Sequence, residues 1–224
     1  MKEYIRSLGC VLWLEFREPG GDIAYDLSGK GNHGKIYGAK RRGYHFLQGL
    51  EFDGEDDYGK VPYSDTLKPW AGFTATIVCK PLDVVTQSNP ISQDISPPGN
   101  RCWQLAVMGR KWRLAIQGPS GPHEYYSPEI AKSKFTFLAV QYDPDALAAR
   151  LWADGEYVID EVLPEAMNQH SPDLILANLG DLNWPCKCII SQVQYFSAVL
   201  TESEIKALYN YVKPYLDWLN KYAT

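Results

Sequence analysis

Short runs rich in β-branched and aromatic residues recur from residue 10 to residue 196, with no helical segment between them. Nothing else in the chain constrains its fold as tightly. The runs span 10–16, 49–52, 73–80, 102–108, 112–117, 135–142, 149–153, 174–177 and 188–196, and Gly, Pro, Asn or Asp punctuates most of the gaps. Parallel βαβ units need a helix between strands, so the spacing predicts an antiparallel sandwich or barrel. Within Trp152-Ala-Asp154-Gly155-Glu-Tyr an Asp-Gly signal predicts that 149–153 and 156–160 pair across a tight turn. The stretch 83–101, with Pro90, Pro97 and Pro98, reads as the longest loop, the kind of segment onto which function is grafted.

After residue 200 the pattern changes. Thr201-Glu-Ser-Glu204 is a capping box, and Leu200 and Ile205 stand where a hydrophobic staple would close. Ile205, Leu208, Tyr209 and Val212 mark one helical face, which Leu216 and Leu219 extend. Pro214 interrupts it and predicts a kink, or a second short helix over 213–221. The chain therefore divides into a β-sandwich over 1–200 and a helical extension over 201–224, packed on or beside it. That helix can serve its own sandwich, or dock a protein partner or a second copy of the chain.

The 224 residues suit one large β domain, and 45% apolar residues suffice for a core. A net charge of −5 excludes a dedicated nucleic-acid binder, which needs a basic face. No run is long enough to cross a membrane, and the N-terminal MKEYIRSLGCVLWLEF does not read as a signal peptide, so no membrane insertion is expected. The expected setting is inside the producing cell or on a virion, a processed secreted form being the alternative. Five cysteines, an odd number at low density, read as buried free thiols; in Cys186-Lys-Cys188 the period of two puts both sulfurs on one strand face.

One motif invites chemistry: AYDLSGKGNHGKIYG, residues 24–38. A phosphate-binding loop needs GxxxxGK[ST] opening a helix, whereas Lys30 here precedes Gly31 and Lys-Ile-Tyr, a strand, follows Gly34. The four histidines, His33, His45, His123 and His170, show no metal-ligand spacing, and no nucleophile elbow or paired Cys–His signature occurs.

Taken with VLWLEF, GLEFDGEDDYGKVPYSDTL, FTATIVCKP, LWADGEYV and ISQVQYFSAVLTESEIKALYN, this motif resembles the laminin G-like modules of the concanavalin A-like lectin/glucanase superfamily. The resemblance runs from about residue 10 to 210 and is thinnest over 83–134. It implies an all-β jelly roll of two antiparallel sheets, one concave and often ligand-facing, with a terminal strand leading into a short helix. Catalytic members carry alternating acids on one strand. No such strand is found: Glu156, Asp160 and Glu161 have the wrong spacing, and Glu51-Phe-Asp53 belongs to the FDG motif of noncatalytic modules. The chain is thus expected not to be an enzyme.

Calcium is the remaining cofactor. Asp26, Ser28 and Asn32, completed by Asp53, Asp56 or Asp57, offer oxygens for a structural calcium ion of the sort related folds bind. The competing reading is an Asx turn, in which Asp26 accepts its own backbone's N–H groups. For ligand contact the expected face combines Arg101, Trp103, Trp112, Tyr125 and Tyr126, with Asn100, since sugars stack on aromatic rings and bind polar groups at their edges. Two functions follow: a noncatalytic lectin-like module for a glycan or glycoprotein, or a structural component, such as one of a virion surface, that uses the jelly roll as a building block.

Overall fold

The computed structural model describes residues 1–44, 47–95, 100–128 and 132–222, so His45 lies outside the described residues. Two eight-stranded antiparallel sheets face each other. The first runs β14 (Glu156–Val162), β13 (Ala148–Ala153), β12 (Thr136–Asp143), β7 (Phe73–Pro81), β16 (Cys188–Phe196), β5 (Leu47–Phe52), β4 (Lys40–Tyr44), with β1 (Cys10–Leu14) also on β16. The second runs β11 (Gly121–Tyr126), β10 (Lys111–Gly118), β9 (Asn100–Met108), β8 (Ser88–Ile95), β15 (Leu174–Leu176), β6 (Tyr58–Val61), β3 (Gly34–Tyr37), β2 (Ile23–Ala24). This is the expected jelly-roll sandwich, and the predicted strands coincide with observed ones to within a few residues. Asp154 and Gly155 both take positive φ (50° and 85°), the mirror-image turn that the Asp-Gly pair predicts between β13 and β14.

The sheets differ in what covers them. Between them lies the main core, where Phe73 stacks on Trp103 and on Tyr195. The outer face of the first sheet is covered as well, by α1 (Lys2–Ser7) and α2 (Glu202–Tyr222): Trp13, Phe137 and Trp152 of the sheet pack with Ile205, Leu208, Val212, Leu216 and Leu219. With both faces covered, β7 and β16 are buried at nearly every position, polar residues such as Thr76, Ser191 and Gln194 included. On the outer face of the second sheet the polar side chains of Asp94, Gln104 and Arg113 are themselves largely buried, beside Ala106 and Ala115.

The capping box forms as expected: the Thr201 N–H donates to Glu204 Oε2 at 2.7 Å, and the Glu204 N–H to Thr201 Oγ1 at 3.4 Å. The predicted break at Pro214 does not occur, and α2 is one helix of 21 residues. Pro214 sits on the exposed side, as does Asn210, whose carbonyl loses its amide donor, so water can satisfy that carbonyl without ending the helix. Asn220 fastens the far end, accepting from the Phe135 N–H at 2.7 Å and donating to its carbonyl at 2.8 Å. The helix thus uses its apolar face on its own sheet. No helix among the described residues is long and apolar enough to cross a membrane.

The stretch read as one long loop, 83–101, contains a strand, β8. A register shift between Ser88 and Ile91 accommodates Pro90 within it. Residues 96–99 of that stretch lie outside the described residues. All five cysteines are buried free thiols.

Candidate functional site

The residues expected to form a ligand face are split by the pleat. Trp103 pairs with Ile116 across β9 and β10, and Trp112 with Val107; all four point into the core. Trp103 is fully buried, with its indole N–H on Gln93 Oε1 at 2.8 Å, and Trp112 is 1% exposed. Neither ring can meet a sugar, which corrects that part of the sequence-based expectation. Tyr125 also faces inward, half-buried against the core. Asn100 is described in its backbone alone.

Arg101 and Tyr126 do reach the outer face of the second sheet, where a polar chain joins them. Tyr126 Oη donates to Glu124 Oε2 at 3.0 Å, and Arg113 bonds both Glu124 and, at 3.2 Å, Gln104 Oε1. Gln104 Nε2 donates to Asp94 Oδ2 at 2.7 Å, and Arg101 Nε lies 3.4 Å from Asp94 Oδ1. Burial pushes the Asp94 carboxyl up to about 6, against the pull of Arg101 and Gln104. Each of these groups mostly serves another, and the chain knits β8 to β11 together.

The opening loop is a clamp. Asp26 Oδ1 accepts the N–H groups of Trp13 (2.9 Å) and Ser28 (2.8 Å), while Oδ2 accepts the Ser28 hydroxyl (2.8 Å) and the Asn32 N–H (3.0 Å). Four donors fill the four lone-pair sites of the carboxylate. Asn32 is held likewise: Nδ2 donates to the Val11 carbonyl and to Thr66 Oγ1, and Oδ1 accepts from Ser64. Asp53 lies in a different cluster, with Asp56 and Asp57. The residues expected to share a calcium ion therefore do not form one ligand set, and Asp26 makes the Asx turn.

Another candidate site lies beside the loop from Ala177 to Lys187. This loop folds back along β8. The Ala177 N–H donates to the Pro90 carbonyl (2.9 Å), Ser92 Oγ to the Asn178 carbonyl (3.0 Å), and the Gly180 N–H to the Asp94 carbonyl (2.7 Å). Asn178, 1% exposed, accepts the N–H of Trp184 on Oδ1 at 3.0 Å and so fixes the start of the return. Trp184 itself is 42% exposed. It borders a cleft of about 370 Å³ with Asp53, Asp83, Gln87, Asn183 and Lys187. Gly54 (φ +81°) lets the FDG turn close on this loop, because a Cβ there would fall 2.7 Å from Lys187 Cβ.

The cleft has free polar capacity. Asp83 Oδ1 accepts the Val85 and Thr86 N–H groups, and these bonds, with the Thr86 side chain, hold its carboxyl below the ordinary range. Asp53 likewise uses Oδ1, for the Glu55 N–H, and leaves Oδ2 open among the described residues. Ser88 also borders the cleft, but its hydroxyl is buried out of reach of solvent and has no partner among the described residues. An exposed indole with carboxyl groups, an amide and a lysine around a space of this size can hold a small polyhydroxylated ring. Trp184 is not among the residues expected at the ligand face, and its partners come from distant loops with no local signal in the sequence.

A family model described as the concanavalin A-like lectin/glucanases superfamily matches residues 53–206, more than half of the chain. Among solved structures, the chain is similar to the binding domain of Paraclostridial Mosquitocidal Protein 1. That match has 12% identity, covers 92% of this chain and 53% of that one, and has a TM-score of 0.74. It is similar also to a botulinum neurotoxin type C structure whose cell entry depends on two ganglioside molecules (14% identity, 95% and 53% coverage, TM-score 0.73). A third is Trypanosoma rangeli sialidase in complex with the inhibitor DANA (15% identity, 89% and 32% coverage, TM-score 0.71). The chain thus spans about half the length of the toxin chains and a third of the sialidase. At such identities the likeness is one of fold. No curated protein matches the sequence.

Proposed function

The chain belongs to the concanavalin A-like lectin/glucanase superfamily, and from that premise we propose that it is a noncatalytic glycan-binding module whose sugar site is the Trp184 cleft. One observation carries the reading: an exposed indole stands at a cleft bordered by Asp53, whose Oδ2 no described residue engages, and by Gln87, Asn183 and Lys187. The ring offers a face for the C–H side of a pyranose, and these polar side chains offer partners for its hydroxyls. Bound neighbours in fold lend it weight, since the neurotoxin structure is tied to gangliosides. Attachment to a glycosylated surface is the role such a module would serve. The structural-component reading draws less support, because the apolar face of α2 is already buried on the first sheet.

Binding to a printed glycan array, with Trp184→Ala beside the native chain, tests the proposal. Truncating an aromatic at the centre of a contact costs about 2 kcal/mol, or about 30-fold in affinity. The exposed position predicts an unchanged melting temperature. Native retention of array glycans that survives in Trp184→Ala would place the site elsewhere, and no retention at all would end the glycan reading.

A further inference from the structure

The loop that carries Trp184 borders a second cleft on its other side. Gly180 and Leu182 line it with Tyr58, Lys60, Asp173 and Ile175, around a volume of about 140 Å³. Leu182 faces this cleft and Asn183 the first, so one thickness of chain separates the two spaces. Leu182 is bulky, 41% exposed and in left-handed backbone (φ 59°), a conformation that costs about 1 kcal/mol or more for such a residue. A strained, exposed leucine on the ridge between two clefts fits a contact surface.

The walls of the second cleft are fixed. Tyr58 stacks on Tyr37 with ring centroids 4.3 Å apart and planes 12° from parallel, and its hydroxyl bonds no described residue. Lys60 Nζ lies 2.6 Å from Asp173 Oδ2, while Asp173 Oδ1 accepts the Tyr63 N–H at 2.7 Å. The pair holds a donor and an acceptor side by side with no net charge, a match for a sugar hydroxyl, which both donates and accepts. In the first cleft Asp53 and Asp83 outweigh Lys187, which disfavours a carboxylated sugar.

We propose that the Tyr58–Lys60–Asp173 cleft is a second saccharide subsite, so that the ligand is an uncharged oligosaccharide of at least two hexose units laid across the loop at 180–184. This rests on the glycan reading of the Trp184 cleft.

The test uses the full chain against immobilised mono-, di- and trisaccharides ending in galactose, mannose, glucose or N-acetylglucosamine, each with its sialylated counterpart. Lys60→Trp fills the second cleft, and Lys60→Met removes only the ammonium, which keeps the result readable if the larger residue disturbs the sheet. The expected result is a di- or trisaccharide held at least about tenfold tighter than its terminal monosaccharide. Lys60→Trp should abolish that gain and Lys60→Met reduce it, both with monosaccharide binding unchanged, whereas Trp184→Ala should weaken both. Equal binding of mono- and oligosaccharides, or a gain that survives Lys60→Trp, would overturn the second subsite and leave the first standing, and preference for the sialylated forms would overturn the uncharged ligand, which rests on the charge of the first cleft. If none of the sugars is retained, the glycan reading itself fails and takes the subsite with it.

Discussion

Replacing Asp26 by asparagine changes one oxygen for an amide and tests what the glycine-rich loop is for. Asp26 is 8% exposed, and its Oδ2 receives the Asn32 N–H and the Ser28 hydroxyl. An amide nitrogen there turns a donor toward the Asn32 N–H; the Ser28 hydroxyl can rotate to accept, but the backbone N–H cannot. One buried amide is orphaned at about 1–3 kcal/mol, and the remaining bonds lose the strength lent by a charged acceptor. The expected loss is about 2–3 kcal/mol, which in a chain of this size lowers the melting temperature by roughly 5–10 °C. Alanine orphans the N–H groups of Trp13, Ser28 and Asn32 together and should cost more. Urea unfolding followed by tryptophan fluorescence measures the loss, and it is run once with calcium and once with EDTA. A clamp made of hydrogen bonds predicts the same loss in both. A loss within about 0.5 kcal/mol of zero would refute the clamp, and a loss seen only with calcium would show that Asp26 holds an ion.

Two further outcomes follow from the same structure. The Asp94 carboxyl is raised to about 6 by burial, so the native state holds this proton more tightly than the unfolded chain does. Its contribution to stability is therefore fully present below about pH 4 and is lost as pH rises through about 6; Asp94→Asn should gain about 2 kcal/mol on the native chain between those limits and pH 8, and a difference that does not vary with pH would refute this. Removing 213–224 takes away Leu216, Leu219 and the Asn220 clamp on Phe135, about 3–6 kcal/mol of burial alone, and should lower the melting temperature by about 10–20 °C without changing the number of copies per particle in solution. A fall in that number on truncation would show instead that the helix joins copies of the chain.

How far the sequence carries depends on whether a signal is local. Strand positions are local, and the period of two places β9 and β10 well. Its phase would also have sorted their side chains: Trp103, Leu105 and Val107 alternate with Gln104 and Ala106, and Trp112, Leu114 and Ile116 with Arg113 and Ala115. That Trp103 and Trp112 share a phase with these aliphatic residues is the signal that places their rings in the core. β8 was hidden because its core-facing phase carries a polar residue: Gln93 is fully buried, bonding the Trp103 indole and the Leu67 carbonyl, so the alternation disappears. The cleft has no local signal at all, since Asp53, Asp83 and Trp184 meet only after three loops converge. The opening motif is a different case. An aspartate among glycines, serine and asparagine has the residue types both of a cation loop and of a turn that caps its own amides. What separates them is the direction of the surrounding N–H groups, which depends on β1 lying beside the loop to give Trp13 as a donor. Composition names the candidates for such a site, and only the fold decides whether donors or a cation meet the oxygens.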